Sequence, residues 1–188
     1  MYNVIALIGP SGSGKDYIAK NLCTDTRFNR VVSDTTRPPR VGEEDGKDYH
    51  FTGIGEFAKN VVDGNMLDAV NYKGWYYGTN ISSLDEDKFN ILVTDPERLR
   101  ILHECKDIFL IVIYITADDK QRLIKTLERE IYPDCKEVCR RFLADDKMFK
   151  DIEDIENYDE FFTAVNDYTY SFVEELRRII EDEFIETY

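Results

Sequence analysis

The chain has 188 residues, 43% hydrophobic and 33% charged, about one domain's worth with enough apolar material for a buried core. Its 38 acidic residues against 24 Lys and Arg give a formal net charge of -14. Such a surface repels nucleic acid and anionic lipid, so any phosphate must be held by a local basic pocket.

The amino terminus runs from Asn3 through Val4–Ile8 into Gly9-Pro10 and reads as a strand, without the basic leader or cleavage site of a signal peptide. A helical pattern, Asp16–Leu22, follows. From Ser33 to Asn80 the rhythm breaks: Pro38, Pro39, several glycines and aromatic clusters predict a small insertion of mostly extended chain that replaces one crossover. A second buried strand, Phe89–Val93, leads into a helix over Pro96–Cys105, and a third, Ile108–Ile115, into a helix over Asp118–Arg129. That third run is the longest apolar one and falls far short of the ~20 residues that span a bilayer. Tyr132 to Asp159 is charged and helical in pattern, and Val173–Ile185 closes the chain as a helix. Continuous β-branched strands alternating with helices predict an α/β fold with a doubly wound parallel sheet covered on both faces. The four cysteines, Cys23, Cys105, Cys135 and Cys139, form no dense disulfide framework and point to a reducing, cytoplasmic compartment.

Gly9-Pro10-Ser11-Gly12-Ser13-Gly14-Lys15 fits the phosphate-loop pattern G-x-x-x-x-G-K, with a strand entering and a helix leaving. Glycines let successive backbone N–H groups turn toward one anion, the helix amino terminus adds partial positive charge, and Lys15 reaches the outer phosphates. The pattern ordinarily ends in Ser or Thr, whose hydroxyl holds Mg²⁺; here Asp16 stands there. A carboxylate is also a hard oxygen ligand, so Asp16 is expected to hold the ion directly or through water, the competing reading being weakened phosphate binding.

A second anion site is predicted between Ser33 and Phe51. Arg37 precedes a proline and is pushed toward extended backbone. With three residues per polyproline turn, Arg37 and Arg40 project to one side, on the order of 9 Å apart. Two guanidinium forks so placed suit bidentate capture of a phosphate, and Tyr49 adds a hydroxyl. A charged hairpin with incidental arginines is the plainer alternative.

The same stretch resembles the guanylate kinase family. Residues Ser33 to Phe51 match every specified position of its hallmark, S-x-T-T-R-x-P-R-x-G-E-x-x-G-x-D-Y-x-F. Gly9–Lys15 also reads as in that family, Tyr76-Tyr77-Gly78-Thr79 is similar to its Y-Y-G-[ST] segment, and Val165-Asn166-Asp167 to its late V-N-D segment. The resemblance implies a P-loop kinase with a small β-rich GMP-binding insertion and a helical lid. It divides the chain into core (1–32), insertion (33–80), core (81–117), lid (118–147) and core (148–188). It implies ATP as phosphate donor with Mg²⁺, GMP or dGMP as acceptor, and a cytoplasmic monomer or homodimer that needs neither nucleic acid nor membrane.

Residue by residue, it implies that Ser33, Arg37, Arg40, Tyr49 and Tyr77 hold the monophosphate and that Thr79 supplies a hydroxyl to the guanine. Asp68 takes the place of the family's base-reading glutamate, and Asp95 that of the second aspartate of a D-x-D, whose first position is Val93 here. A carboxylate accepts from guanine N1–H and the 2-amino group, whereas adenine leaves it unpaired. Asp68 is one methylene shorter than Glu, so the backbone moves closer, a water bridges, or specificity loosens. Gly9, Pro10, Ser11, Gly12, Ser13, Gly14, Lys15 and Asp16 would hold the donor's phosphates and metal, with Asn166 near the adenine. The lid departs most: Thr126 and Glu130 stand where two arginines belong, so Lys125 and Arg129 are the substitutes, with Arg122 a further candidate and Arg141 matching a later arginine. Transfer is expected to be in-line, with Lys15, Arg37, Arg129 and Arg141 acting on the phosphates once insertion and lid close. Two other functions compete: a ribose 1,5-bisphosphate phosphokinase, which shares Gly14-Lys15-Asp16, and a catalytically weakened binding module.

Overall fold

The computed structural model describes residues 1–40, 42–128, 132–150, 152, 155, 158 and 160–185. In chain order the elements are β1 (Tyr2–Ile8), α1 (Lys15–Leu22), β2 (Phe28–Arg30), β3 (Asp34–Thr35), β4 (His50–Phe51), α2 (Ile54–Val62), β5 (Met66–Tyr72) and β6 (Trp75–Asn80). They continue with β7 (Phe89–Val93), α3 (Pro96–His103), β8 (Ile108–Thr116), α4 (Asp119–Glu128), α5 (Cys135–Met148), β9 (Phe161–Val165) and α6 (Tyr170–Ile180). One sheet has the order β2-β7-β1-β8-β9, with β2 parallel to β7 and β9 parallel to β8; the other has the order β4-β3-β6-β5. The α/β reading holds. The chain forms two compact units, Met1–Ala6 with Thr26–Ile111, and Leu7–Asp25 with Val112–Tyr188. All of the 33–80 insertion lies in the first and all of 118–147 in the second.

In the first unit, Val4, Val31, Leu92, Leu102 and Ile108 form one buried cluster, which seats β7 and α3 against the start of β1. The fully buried Asn90 organises the turn before β7: its Nδ2 donates to the carbonyls of Asn3, Asp85 and Lys88, and its Oδ1 accepts from the Asp85 amide. Helix α3 starts where the sequence says it should. Pro96 occupies its first turn, and the Asp95 carboxylate caps the amides of Glu97 (2.9 Å) and Arg98 (3.1 Å).

The insertion is less extended than its composition suggests. It contains the helix α2, whose only buried side chain is Phe57, packed against Tyr76 at 5.7 Å. Gly78 makes room for that ring, since a Cβ there would lie 3.1 Å from Phe57 and 2.5 Å from the Asp68 carbonyl. Ile54, Phe57, Ala58, Val61 and Val62 recur at helical spacing, but of this apolar stripe only Phe57 is buried, while Ile54, Val61 and Val62 are exposed. Strands β5 and β6 form a hairpin closed by Lys73-Gly74, both at positive φ (53° and 83°) as a tight turn of matching twist requires.

In the second unit, Ile18, Ala19 and Leu22 of α1 and Val173, Leu176 and Ile180 of α6 are buried, and the two helices pack together. Arg177 ties them by donating to the Asn21 carbonyl at 2.8 Å. The last helix begins at Tyr170, capped by Thr169, earlier than the Val173 start its periodicity suggests, and ends in a widened π turn over Glu181–Ile185. Within the charged Tyr132–Asp159 stretch, helix occupies Cys135–Met148.

Candidate active site

The phosphate loop occupies residues 9–15 between β1 and α1, inside the second unit. Its three glycines have φ of +147°, +81° and +92°, a region L side chains avoid. Space forbids a side chain as firmly as conformation does. A Cβ would meet the Ile115 carbonyl oxygen at 2.1 Å from Gly9, the Arg122 carbonyl oxygen at 2.6 Å from Gly12, and Asn166 Nδ2 at 2.4 Å from Gly14. The Lys15 ammonium folds back across the loop, donating to the carbonyls of Gly9 (2.7 Å) and Pro10 (2.9 Å). Burial brings its pKa from 10.5 down to about 8; Asp16 and Asp145 pull it up in part, and Arg122 pushes it further down.

Four side chains that the motif does not contain brace the loop. The Asp145 carboxylate accepts from the Ser11 amide at 2.8 Å and the Ser11 hydroxyl at 3.2 Å, and also from Arg122 Nη2 at 3.2 Å. Arg122 is buried, donates Nε to the Ser11 carbonyl at 3.2 Å and Nη1 to Asp119 at 2.7 Å, and lies over the Phe142 ring at 4.8 Å. It is therefore an anchor of the loop and not a free lid cation. Asn166, expected near the adenine, is buried with its amide donating to the Ser13 carbonyl at 2.8 Å and its Oδ1 accepting from the Tyr168 amide. Tyr168 has φ of 62° and donates its hydroxyl to the Gly12 carbonyl at 2.8 Å.

Asp16 stands exposed in the first turn of α1. No cluster of three His, Cys, Asp or Glu that could cage a metal occurs among the described residues. A single carboxylate beside a phosphate loop fits Mg²⁺, which is commonly held by one or two carboxylates, substrate phosphates and water.

The first unit holds the two arginines expected to form the second anion site. Arg37 is buried; its Nη1 and Nη2 meet Glu43 Oε2 and Oε1 at 2.9 and 3.0 Å, and Glu43 Oε2 also accepts the Arg40 amide at 2.7 Å. The guanidinium lies 5.5 Å from the Tyr49 ring and 5.8 Å from the Phe51 ring, while Tyr49 and Tyr77 pack edge to face at 5.9 Å. Arg37 Nε is buried with no hydrogen-bond partner among the described residues. The end of the fork is thus held by Glu43, and its side edge carries an orphan donor of the kind a phosphate oxygen satisfies. Arg40 is half-exposed, with Nη1 at 3.8 Å from the same Glu43.

The residues expected to meet the base are organised by a side chain that the sequence reading did not single out. Arg98 of α3 forms a buried ion pair with Asp68 through Nε and Oδ2; its Nη2 reaches Asp68 Oδ1 at 3.2 Å, Ser33 Oγ at 3.2 Å and Thr79 Oγ1 at 2.6 Å. Asp95, expected as the second base reader, is the cap that fixes the backbone of this arginine.

The predicted lid residues are unevenly placed. Arg129 lies outside the described residues. Arg141 sits on α5 with Nε on Glu137 at 2.8 Å, and Arg140 holds the same carboxylate at 2.6 and 2.7 Å. Hydrogen bonds from Arg140 and then Arg141 bring the Glu137 carboxyl down to about 2. Lys125 is 3.7 Å from Glu128.

A family profile described as Guanylate kinase matches residues 1–183. Similar proteins include the guanylate kinase of Latilactobacillus sakei subsp. sakei, 30% identical over 97% of this chain and 90% of that one, and that of Clostridium tetani, 32% identical over 96% and 86%. Among solved structures, guanylate kinase from Anaplasma phagocytophilum is similar at a TM-score of 0.66 and 25% identity, covering 97% of this chain and 86% of that one. With the profile spanning nearly every residue and relatives about 30% identical over almost the whole length, the chain belongs to the guanylate kinase family.

Proposed function

We propose that this protein transfers the γ-phosphoryl group of ATP to GMP or dGMP, giving ADP and the corresponding diphosphate. What supports the reading is that each unit carries basic residues of the kind that hold phosphate: the loop with Lys15 in one, and Arg37 and Arg40, joined through Glu43, in the other. A hydrolase needs one such set, whereas an enzyme that joins two phosphorylated substrates needs two. The intact glycines and Lys15 favour a working donor site over a binding module.

In this reading an oxygen of the GMP phosphate attacks the γ-phosphorus in line, and the bond to the β,γ-bridging oxygen of ATP breaks. Arg37 and Arg40 hold the acceptor phosphate with Tyr49, Tyr77 and Ser33, and neutralise part of its charge. Lys15 and the loop amides hold the donor phosphates, and the braces from Asp145, Arg122, Asn166 and Tyr168 keep the loop in shape beforehand, which is where electrostatic catalysis gains most. Mg²⁺ carried on ATP, with Asp16 as its protein ligand, would neutralise charge on the transferring group. Arg141 and Arg129 are the basic residues we assign to the lid. Four cysteines in 188 residues are too few for a disulfide framework and favour a reducing cytoplasmic compartment.

ADP release measured with MgATP and each of GMP, dGMP, AMP and ribose 1,5-bisphosphate tests the reading. Turnover with the guanine nucleotides is the expected result; turnover with none of the four favours the binding module.

A further inference from the structure

Arg98 changes what the acceptor site can read. Its guanidinium takes both oxygens of Asp68 and also engages Ser33 and Thr79, the three residues the family resemblance assigns to base or phosphate. The Asp68 side chain is 0% exposed and that of Arg98 5%, so no ligand atom touches this carboxylate while the arginine stays. The arginine is held there: a buried ion deprived of its counter-ion is strongly destabilising, and four hydrogen bonds would be lost with it. Every one of those bonds leaves from Nε or Nη2, and Nη1 has no hydrogen-bond partner among the described residues. Asp95 Oδ1 is likewise committed, to the amides of Glu97 and Arg98.

We propose that Arg98 is a specificity-determining residue of the acceptor site. It withdraws Asp68 from the base and offers its own Nη1 protons instead, so that the site selects a 6-oxopurine by its acceptors and is nearly indifferent to the 2-amino group. Guanidinium donors match the O6 and N7 acceptors of guanine. Hypoxanthine presents the same two acceptors and lacks only the 2-amino group, whereas adenine places an amino donor beside N7 and sets donor against donor. A free carboxylate would make the opposite choice, since it accepts from N1–H and the 2-amino group and loses a partner when the latter is absent. Asp68 then acts as a positioning residue for Arg98.

The inference rests on the acceptor reading above and names the edge of the base that this site meets. Calorimetric affinities and initial rates for GMP, IMP and AMP test it, on wild type, Asp68→Asn and Arg98→Gln, with ATP affinity on the same samples as the control for folding. Wild type is expected to bind GMP and IMP within about threefold of each other, and AMP at least about thirtyfold more weakly. Asp68→Asn weakens GMP and IMP by the same factor, leaving their ratio unchanged. Arg98→Gln releases the carboxylate, and the preference for GMP over IMP rises to about tenfold or more. If Arg98→Gln fails to fold, the wild-type ratio and its response to Asp68→Asn still decide. A wild-type preference for GMP over IMP of about tenfold that Asp68→Asn abolishes would overturn the proposal while leaving the kinase reading intact. Binding of ATP with no binding of any purine monophosphate would overturn both.

Discussion

Arg37 and Glu43 meet as two parallel forks, Nη1 on Oε2 at 2.9 Å and Nη2 on Oε1 at 3.0 Å, and the carboxylate that holds Arg37 also accepts the Arg40 amide at 2.7 Å. One glutamate thus holds the guanidinium of Arg37 and the backbone of Arg40, the two arginines we assign to the acceptor phosphate. It also fixes which edge of Arg37 remains for a ligand, because Nε is the donor left unsatisfied.

Glu43→Gln keeps the size and one acceptor but removes the charge and the two-pronged grip. The expected effect is on binding: KM for GMP rises about tenfold while kcat changes less than about twofold, since the lost interaction holds ground state and transition state alike. Steady-state kinetics at saturating MgATP measure this, and a fall in kcat with KM unchanged would contradict the role. Burial raises the Glu43 carboxyl, but the Arg37 hydrogen bonds and the Arg40 amide outweigh it and hold it below the ordinary 4.5. The grip is therefore complete above that value and weakens only as acidification passes below it, so GMP affinity should not fall on this account between pH 7 and about pH 5.

Lys15 gives the donor site a different pH response. Its ammonium is charged below about 8 and neutral above, where an ordinary lysine titrates at 10.5. Donor phosphates need the charged form and raise its pKa when they bind. ATP affinity should be level up to neutral pH and fall above about pH 8, by up to about tenfold per unit, with proton uptake on binding in that range. Lys15→Arg, which stays charged, should flatten the decline. Stability of the free protein responds with opposite sign: between about 8 and 10.5 the unfolded chain holds more protons at this residue, so its contribution rises with pH. Calorimetry across pH 6.5 to about 9.5 measures the first effect, and an unchanged affinity throughout would remove the assignment.

Asp145→Ala removes three hydrogen bonds at once, from the Ser11 amide, the Ser11 hydroxyl and Arg122. Arg122 keeps Asp119 and the Ser11 carbonyl, so it is not stranded. The expected cost is about 2 kcal/mol of folding stability together with weaker ATP binding, and Asp145→Asn, which retains an acceptor, should recover much of both. Urea unfolding and ATP titration read these directly; an Asp145→Ala protein as stable as wild type would show that the loop needs no such brace.

The sequence was most legible where neighbours in the chain are neighbours in space. Val4 to Ile8 reads as a strand buried on both faces, and all five are 0% exposed. The phosphate loop and the Arg37 and Arg40 pair lie in short continuous stretches, so spacing and residue type alone announce them, but nothing in that spacing announced that Glu43 takes the fork of Arg37. Asp95-Pro96 marks a helix start, and a helix starts there. Strands β2 and β9 were missed because one has three residues and the other, last in its sheet's order, has no fully buried position. Helix α2 was legible in the spacing of Ile54, Phe57, Ala58, Val61 and Val62, and was missed because the prolines, glycines and aromatics around it read as extended chain. The arrangement of the candidate site was hidden for a related reason. Arg98 meets Asp68 across 30 positions, Asp145 meets Ser11 across 134, and Tyr168 meets Gly12 across 156. No periodicity links such pairs, and each residue taken alone looks like a solvated charge or a packing aromatic.

The central claim is direct transfer of a phosphoryl group between two nucleotides. ATP labelled at its γ-phosphate, incubated with the protein, Mg²⁺ and GMP, should deliver the label to the β-phosphate of GDP, in amounts equal to the ADP formed and with none retained on the protein. Label recovered only as inorganic phosphate, or remaining in ATP while both nucleotides bind, would contradict it.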